Sequence, residues 1–134
     1  MEIVKRQPTT KLPDSWFTGD AWADVIHRGE EPARARLNLV RFAPGARTAW
    51  HSHALGQALY IVEGIALIGT RDKLVEAHPG DVIWTPPGEQ HWHGAGPDRF
   101  MAHLAIWEGD DTAWLEHVTD DEYAAPRANA RTDR

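Results

Sequence analysis

The chain contains no cysteine, which excludes disulfide staples, thiolate metal ligands and a cysteine nucleophile together. It has no apolar run near the roughly 18 residues that a membrane span requires, and its opening residues, MEIVKRQPTT, carry no stretch suited to a secretory leader. The expectation is a cytoplasmic protein with no membrane partner. Clustered positive charge is missing too. With 14 Lys and Arg against 20 Asp and Glu the formal charge is −6. The cations are scattered, with Lys5, Arg6, Lys11, Arg127, Arg131 and Arg134 near the ends. A phosphate backbone needs a cationic face, so nucleic acid is not an expected partner. Helical periodicity is scarce as well, and this leaves strands as the main building material.

What is present fits one domain. A chain of 134 residues can bury roughly two thirds of its unfolded surface without staples. Residues 34–42 (RARLNLVRF) alternate polar and apolar side chains and end at the turn Ala43-Pro44-Gly45. Apolar runs at 58–62 and 65–70 are split by Glu63-Gly64, which reads as a tight hairpin. Further strands are expected at 74–77, 82–85 and 100–107, punctuated by His78-Pro79-Gly80-Asp81 and Pro86-Pro87-Gly88. Many short strands with Gly and Pro between them point to an all-β antiparallel barrel or jelly roll.

Two segments fall outside this meander. Trp16-Phe17-Thr18-Gly19 is either an edge strand or a contact with a neighbouring subunit, with the neighbour favoured. Residues 112–123 form a short helix or strand closing one barrel end, so the domain is placed at 1–123. From residue 124 onward the polar sequence reads as a disordered tail.

The chemistry sits in two stretches. Residues 45–64, GARTAWHSHALGQALYIVEG, place His51 and His53 two apart, with Gln57 four further on. In a strand alternate side chains share a face, so both imidazoles can converge on one ion. Residues 80–93, GDVIWTPPGEQHWH, return His91 after a Pro-Pro-Gly turn, where it can complete the site. His93 shares the parity of His91 and is either a ligand, a hydrogen-bond partner of one, or a rim residue. Trp50, Trp84 and Trp92 flank these positions and either wall a pocket or fill the core. His103 and Trp107 share strand parity with Met101 and Ala105, so on an inward face they look into one cavity. A divalent cation nearby would keep such a histidine neutral and ready as a base.

The pattern G-x5-H-x-H-x3-Q-x6-G, filled by Gly45, His51, His53, Gln57 and Gly64, resembles the first motif of the cupin superfamily. Gly80, Pro86, Gly88 and His91 match the second. The resemblance covers most of 35–107 and implies a double-stranded β-helix with His51, His53, Gln57 and His91 holding one metal ion. The sequence departs from the common pattern in having Gln57 where glutamate is usual and Ala95 where asparagine is common. A neutral amide leaves a divalent ion with a net charge of about +2, against about +1 for a carboxylate. That favours anionic ligands and polar, non-redox chemistry over oxygen activation.

A closer likeness extends over 16–123. PGARTAWHSHALGQ, HPGDVIWTPPGEQHWHGA, MAHLAI and LEHVTDDEY resemble the bacterial cupin-fold hydroxynitrile lyases. That likeness implies Mn2+, with Fe2+, Zn2+, Ni2+ and Cu2+ as alternatives. It implies His103 as the acid/base and Thr48 at the reacting end, with a small-molecule substrate. The group's pocket glutamine is Trp107 here. A homodimer or homotetramer is expected, because barrels of this type associate through sheet faces. The rival expectations are a cupin oxygenase, isomerase or decarboxylase, and a non-catalytic binding module.

Overall fold

Alternation along one strand sets the architecture. In residues 101–108, Met101, His103 and Ala105 are buried while Ile106 is 44% exposed, the signature of a strand with one face on a core. The computed structural model describes residues 1–109 and 112–129. Its strands are β1 (Thr10–Lys11), β2 (Phe17–Thr18), β3 (Ala21–Arg28), β4 (Ala35–Phe42), β5 (Arg47–Thr48), β6 (His51–His53) and β7 (Gln57–Glu63). There follow β8 (Ala66–Thr70), β9 (Leu74–Ala77), β10 (Val82–Thr85), β11 (His91–Ala95), β12 (Met101–Glu108) and β13 (Thr112–Trp114). A one-turn helix α1 (Asp120–Tyr123) and β14 (Arg127–Asn129) close the sequence of elements. Thr119 and Glu122 cap α1 reciprocally.

Two sheets face each other. The first runs β1-β3-β4-β12-β7-β10 and the second β13-β6-β11-β8-β9-β14, with β2 and β5 paired beside β11. Phe17, Phe42, Leu59, Ile61, Ile68 and Met101 fill the space between them. A second cluster, Trp50, Leu67, Leu74, Trp92 and Val118, lies against Tyr123 and Ala125. This is the jelly-roll barrel expected of an all-β cupin.

Several local expectations change. Glu63-Gly64 does not turn a hairpin, because β7 pairs with β12 and β10 whereas β8 pairs with β11 and β9. The chain changes sheet there. Gly64 has a φ of +78°, and a Cβ on it would sit 2.0 Å from the Phe100 carbonyl oxygen, so only glycine fits the crossing. β3 was not expected from the sequence, because a register shift between Val25 and His27 breaks its alternation. Trp16 and Phe17 pack within their own chain: Phe17 is buried against Phe42, and Trp16 stacks on Trp114 at 5.0 Å. Residues 112–123 supply both a strand and a helix. The tail expected from 124 includes β14, which pairs in parallel with β9; backbone pairing along an open edge needs no apolar side chains. The remainder of that expectation, 130–134, lies outside the described residues.

Candidate metal centre

His51 lies directly opposite His91 on antiparallel neighbours β6 and β11, which brings their ring centres to 4.3 Å. His93 follows on the same face, 5.1 Å from His51, and His53 lies 5.2 Å from His51. Candidate ligand nitrogens of His51, His91 and His93 all fall within 4.8 Å of one another. Gln57 approaches from the other sheet, its Oε1 3.3 Å from His91 Nε2.

Hydrogen bonds orient the rings. His51 Nδ1 donates to the Ala49 carbonyl at 2.9 Å and His91 Nδ1 to the Glu89 carbonyl at 3.0 Å, so each neutral ring presents an Nε2 lone pair inward. His53 Nδ1 meets Thr112 Oγ1 at 3.3 Å, and its Nε2 is buried without a partner. His91 Nε2 and Gln57 Oε1 are then two acceptors facing each other. Lone pairs at that separation repel unless a cation lies between them, and adjacent donors on one ion sit about 3 Å apart. The donor set fits a divalent metal.

Burial governs the electrostatics. Loss of solvent, more than any neighbour, holds His51 and His93 well below the ordinary histidine range and lowers His91 as well. Burial pushes His53 and His103 down to about 4. All five rings are neutral near pH 7, as metal ligation and base chemistry require.

His103 reaches the centre through His93. His103 Nε2 and His93 Nδ1 share a hydrogen bond of 2.9 Å, while His93 Nε2 and His103 Nδ1 are buried and unpaired. Proton counting ties their roles together. If His93 ligates through Nε2, its proton is on Nδ1 and goes to His103 Nε2, leaving His103 protonated at Nδ1 with no lone pair free. If His103 donates from Nε2, His93 carries its proton on Nε2 and does not ligate, and His103 Nδ1 is a free base. A ligating His93 and a basic His103 therefore exclude each other in the neutral pair. Thr48 Oγ1 accepts from the His93 backbone N–H at 3.2 Å, so its own hydrogen remains to donate.

A cavity of about 490 Å³ contains Thr48, His51, His53, Gln57, His93 and His103, with Trp107 on its wall. Trp50, Trp84 and Trp92 had two roles open to them, pocket wall or core, and none of the three lines this cavity. Trp50 and Trp92 have the opposite parity to the histidines beside them and belong to the second core cluster. Trp84 stands 58% exposed on β10. Trp114 packs on the centre 4.6 Å from the His51 ring, and Trp107 lies 6.0 Å from the His53 ring. Thr112 and Trp114 pair with His53 and His51 across β13 and β6, and the period-two spacing Thr-Ala-Trp was the available signal. Asn38 and Arg28 also line the cavity.

The Cupin domain model matches residues 38–107, more than half of the chain. The chain is a cupin. This cupin is 47% identical over 129 residues to an (R)-mandelonitrile lyase of Granulicella tundricola, covering 92% of this chain and 98% of the relative. The likeness to cupin hydroxynitrile lyases read in the sequence is thus borne out. It is 32% identical to an acireductone dioxygenase of Granulibacter bethesdensis over 80% of its own length, and spans 59% of that protein. Both relatives are enzymes. A crystal structure of a cupin-like protein from Thermotoga maritima superposes with a TM-score of 0.80 at 34% identity, covering 92% of this chain and 95% of the other.

Proposed function

We propose that this cupin is a metal-dependent hydroxynitrile lyase, cleaving a cyanohydrin to an aldehyde and hydrogen cyanide and running the reverse addition. The observation that carries the reading is His103: a fully buried, neutral imidazole in the same cavity as the histidine cluster, in a chain similar to a mandelonitrile lyase. His51, His53, Gln57 and His91 would hold one divalent ion, Mn2+ foremost. When bound, that ion supplies Lewis-acid charge, undiminished by this neutral donor set, which stabilises the negative charge of departing cyanide.

The protein's own groups do the rest. Thr48 donates its hydroxyl hydrogen to the substrate oxygen. His103 Nδ1 accepts the cyanohydrin hydroxyl proton as the carbon-carbon bond breaks; the electron pair of that bond leaves with cyanide, and His103 returns the proton to it. This requires the tautomer in which His103 donates from Nε2 to His93 and His93 does not ligate. Trp107 and Trp114 form the apolar wall that excludes water from the reacting groups.

The test is metal analysis of the purified protein, followed by mandelonitrile cleavage with manganese added. Near-stoichiometric metal and metal-dependent benzaldehyde release support the reading. His103→Ala should abolish cleavage with metal content intact; unchanged turnover would remove His103 from the mechanism. Bound metal without release would favour the second reading, an oxygenase, which the dioxygenase relative supports. Oxygen uptake dependent on ferrous iron is its diagnostic.

We further propose that two copies associate through the outer face of the first sheet. Tyr60, Val62, Val82 and Ile106 are each more than two fifths exposed there, and Tyr60 pairs with Val82 across adjacent strands. Contiguous apolar surface of this kind marks an interface. Among the described residues no helix is long and apolar enough to cross a membrane.

A further inference from the structure

The cavity wall extends past Gln57 and Trp107 to residues that the lyase chemistry leaves unused, Asn38 and Arg28. It crosses the first sheet in the order β7, β12, β4, β3, and Gln57, Trp107, Asn38 and Arg28 line it from those strands in turn. Gln57 and Trp107 are cross-strand partners, and Asn38 lies opposite Ala105 on the next inward-facing rung. With strands about 4.8 Å apart, the strand of Asn38 is two spacings, about 10 Å, from that of Gln57. The cavity of about 490 Å³ has room for a small aromatic ring with one substituent.

The groups on this side ask for a polar partner. Asn38 shares the inward parity of Val40 and Phe42, and among the described residues its carboxamide has no hydrogen-bond partner. The indole N–H of Trp107, which lines the same cavity, is buried and likewise unpaired. An unsubstituted phenyl ring placed here would cover the carboxamide and leave it without water or partner, a loss on the scale of a whole hydrogen bond. A hydroxyl would complement it, since a carboxamide both donates and accepts.

We propose that the substrate carries a second hydroxyl group, away from its reacting carbon and bound by Asn38, so that hydroxylated aldehydes and their cyanohydrins are preferred over unsubstituted ones. The proposal rests on the lyase reading for the reacting end of the substrate. Asn38 is a specificity residue and takes no part in bond breaking.

The experiment is binding of 4-hydroxybenzaldehyde and of 4-methylbenzaldehyde, matched in size, to the manganese-loaded protein, followed by quenching of tryptophan fluorescence. The hydroxyl compound should bind about five- to tenfold more tightly. In Asn38→Leu and in Asn38→Ala the ratio should fall to near one, with the methyl compound bound more tightly once the carboxamide it covers is gone. Equal affinities in the wild-type protein would overturn the proposal, as would an undiminished ratio in a folded Asn38 variant. Because binding is read without turnover, absent cyanohydrin cleavage with an intact preference would count against the lyase reading alone. Cleavage of mandelonitrile with no preference would count against the Asn38 subsite alone.

Discussion

Acid should destabilise the metal-free protein steeply between about pH 6.5 and pH 4, and leave its stability flat above that window. His103 is fully buried and its pKa falls from 6.5 to about 4. Above pH 6.5 the ring is neutral in folded and unfolded chains alike and pH has no hold on it. Between the two values the unfolded chain binds a proton that the folded one refuses, so stability is lost as pH falls and the loss is complete below 4. A displacement of this size corresponds to roughly 3 kcal/mol. His51, His53, His91 and His93 are displaced in the same direction, so His103 sets a lower limit. Against a typical total of about 5–15 kcal/mol, the loss is large. Urea unfolding in chelator at pH 7.5, 6.0, 5.0 and 4.5, followed by circular dichroism, should show a falling midpoint at constant slope, and His103→Gln should make that fall shallower without abolishing it. A midpoint unchanged from pH 7.5 to 4.5 would refute the claim that these rings are buried neutral.

Three further outcomes are expected. Gln57→Glu should keep its metal but bind cyanide or azide roughly ten- to a hundredfold more weakly, because the added charge opposes the anion; anion titration of the loaded protein reads it directly. Thr112→Val removes the hydroxyl 3.3 Å from His53 Nδ1 and should weaken metal affinity about 10- to 100-fold, measured by competition with a chelator. Gly69→Ala would put a Cβ 2.1 Å from Trp92 Nε1 and should cost about 1–3 kcal/mol by overpacking, a fall in melting temperature with metal stoichiometry unaltered.

The histidines were legible because their geometry is local. A period of two puts His51 with His53 and His91 with His93, and the turns that bring the two pairs together announce themselves in Pro and Gly. The wall of the cavity was not legible in the same way. Trp50, Trp84 and Trp92 stand next to the ligands in sequence and for that reason point away from them, since neighbours in a strand face opposite sides. Trp114, which packs on His51, is remote in sequence and reaches it only through the pairing of β13 with β6. Asn38 belongs to a strand that was expected, but nothing in its own stretch shows that Trp107 and Arg28 share its cavity. The bulge in β3 hid that strand, and with it Arg28. The crossing at Gly64 looked like a hairpin because both events need a glycine, and only the choice of partner strands separates them.

The stack of Trp16 on Trp114, and the packing of Trp114 against His51, join the two flanks of the chain over a centre built from its middle. Ion capture and the shape of the lid over it are thus encoded in separate stretches of the gene. Recombination that exchanges the flanking stretches between relatives can supply a new lid while the metal-binding middle passes through intact. A scaffold of this kind can diversify its substrates by trading its ends.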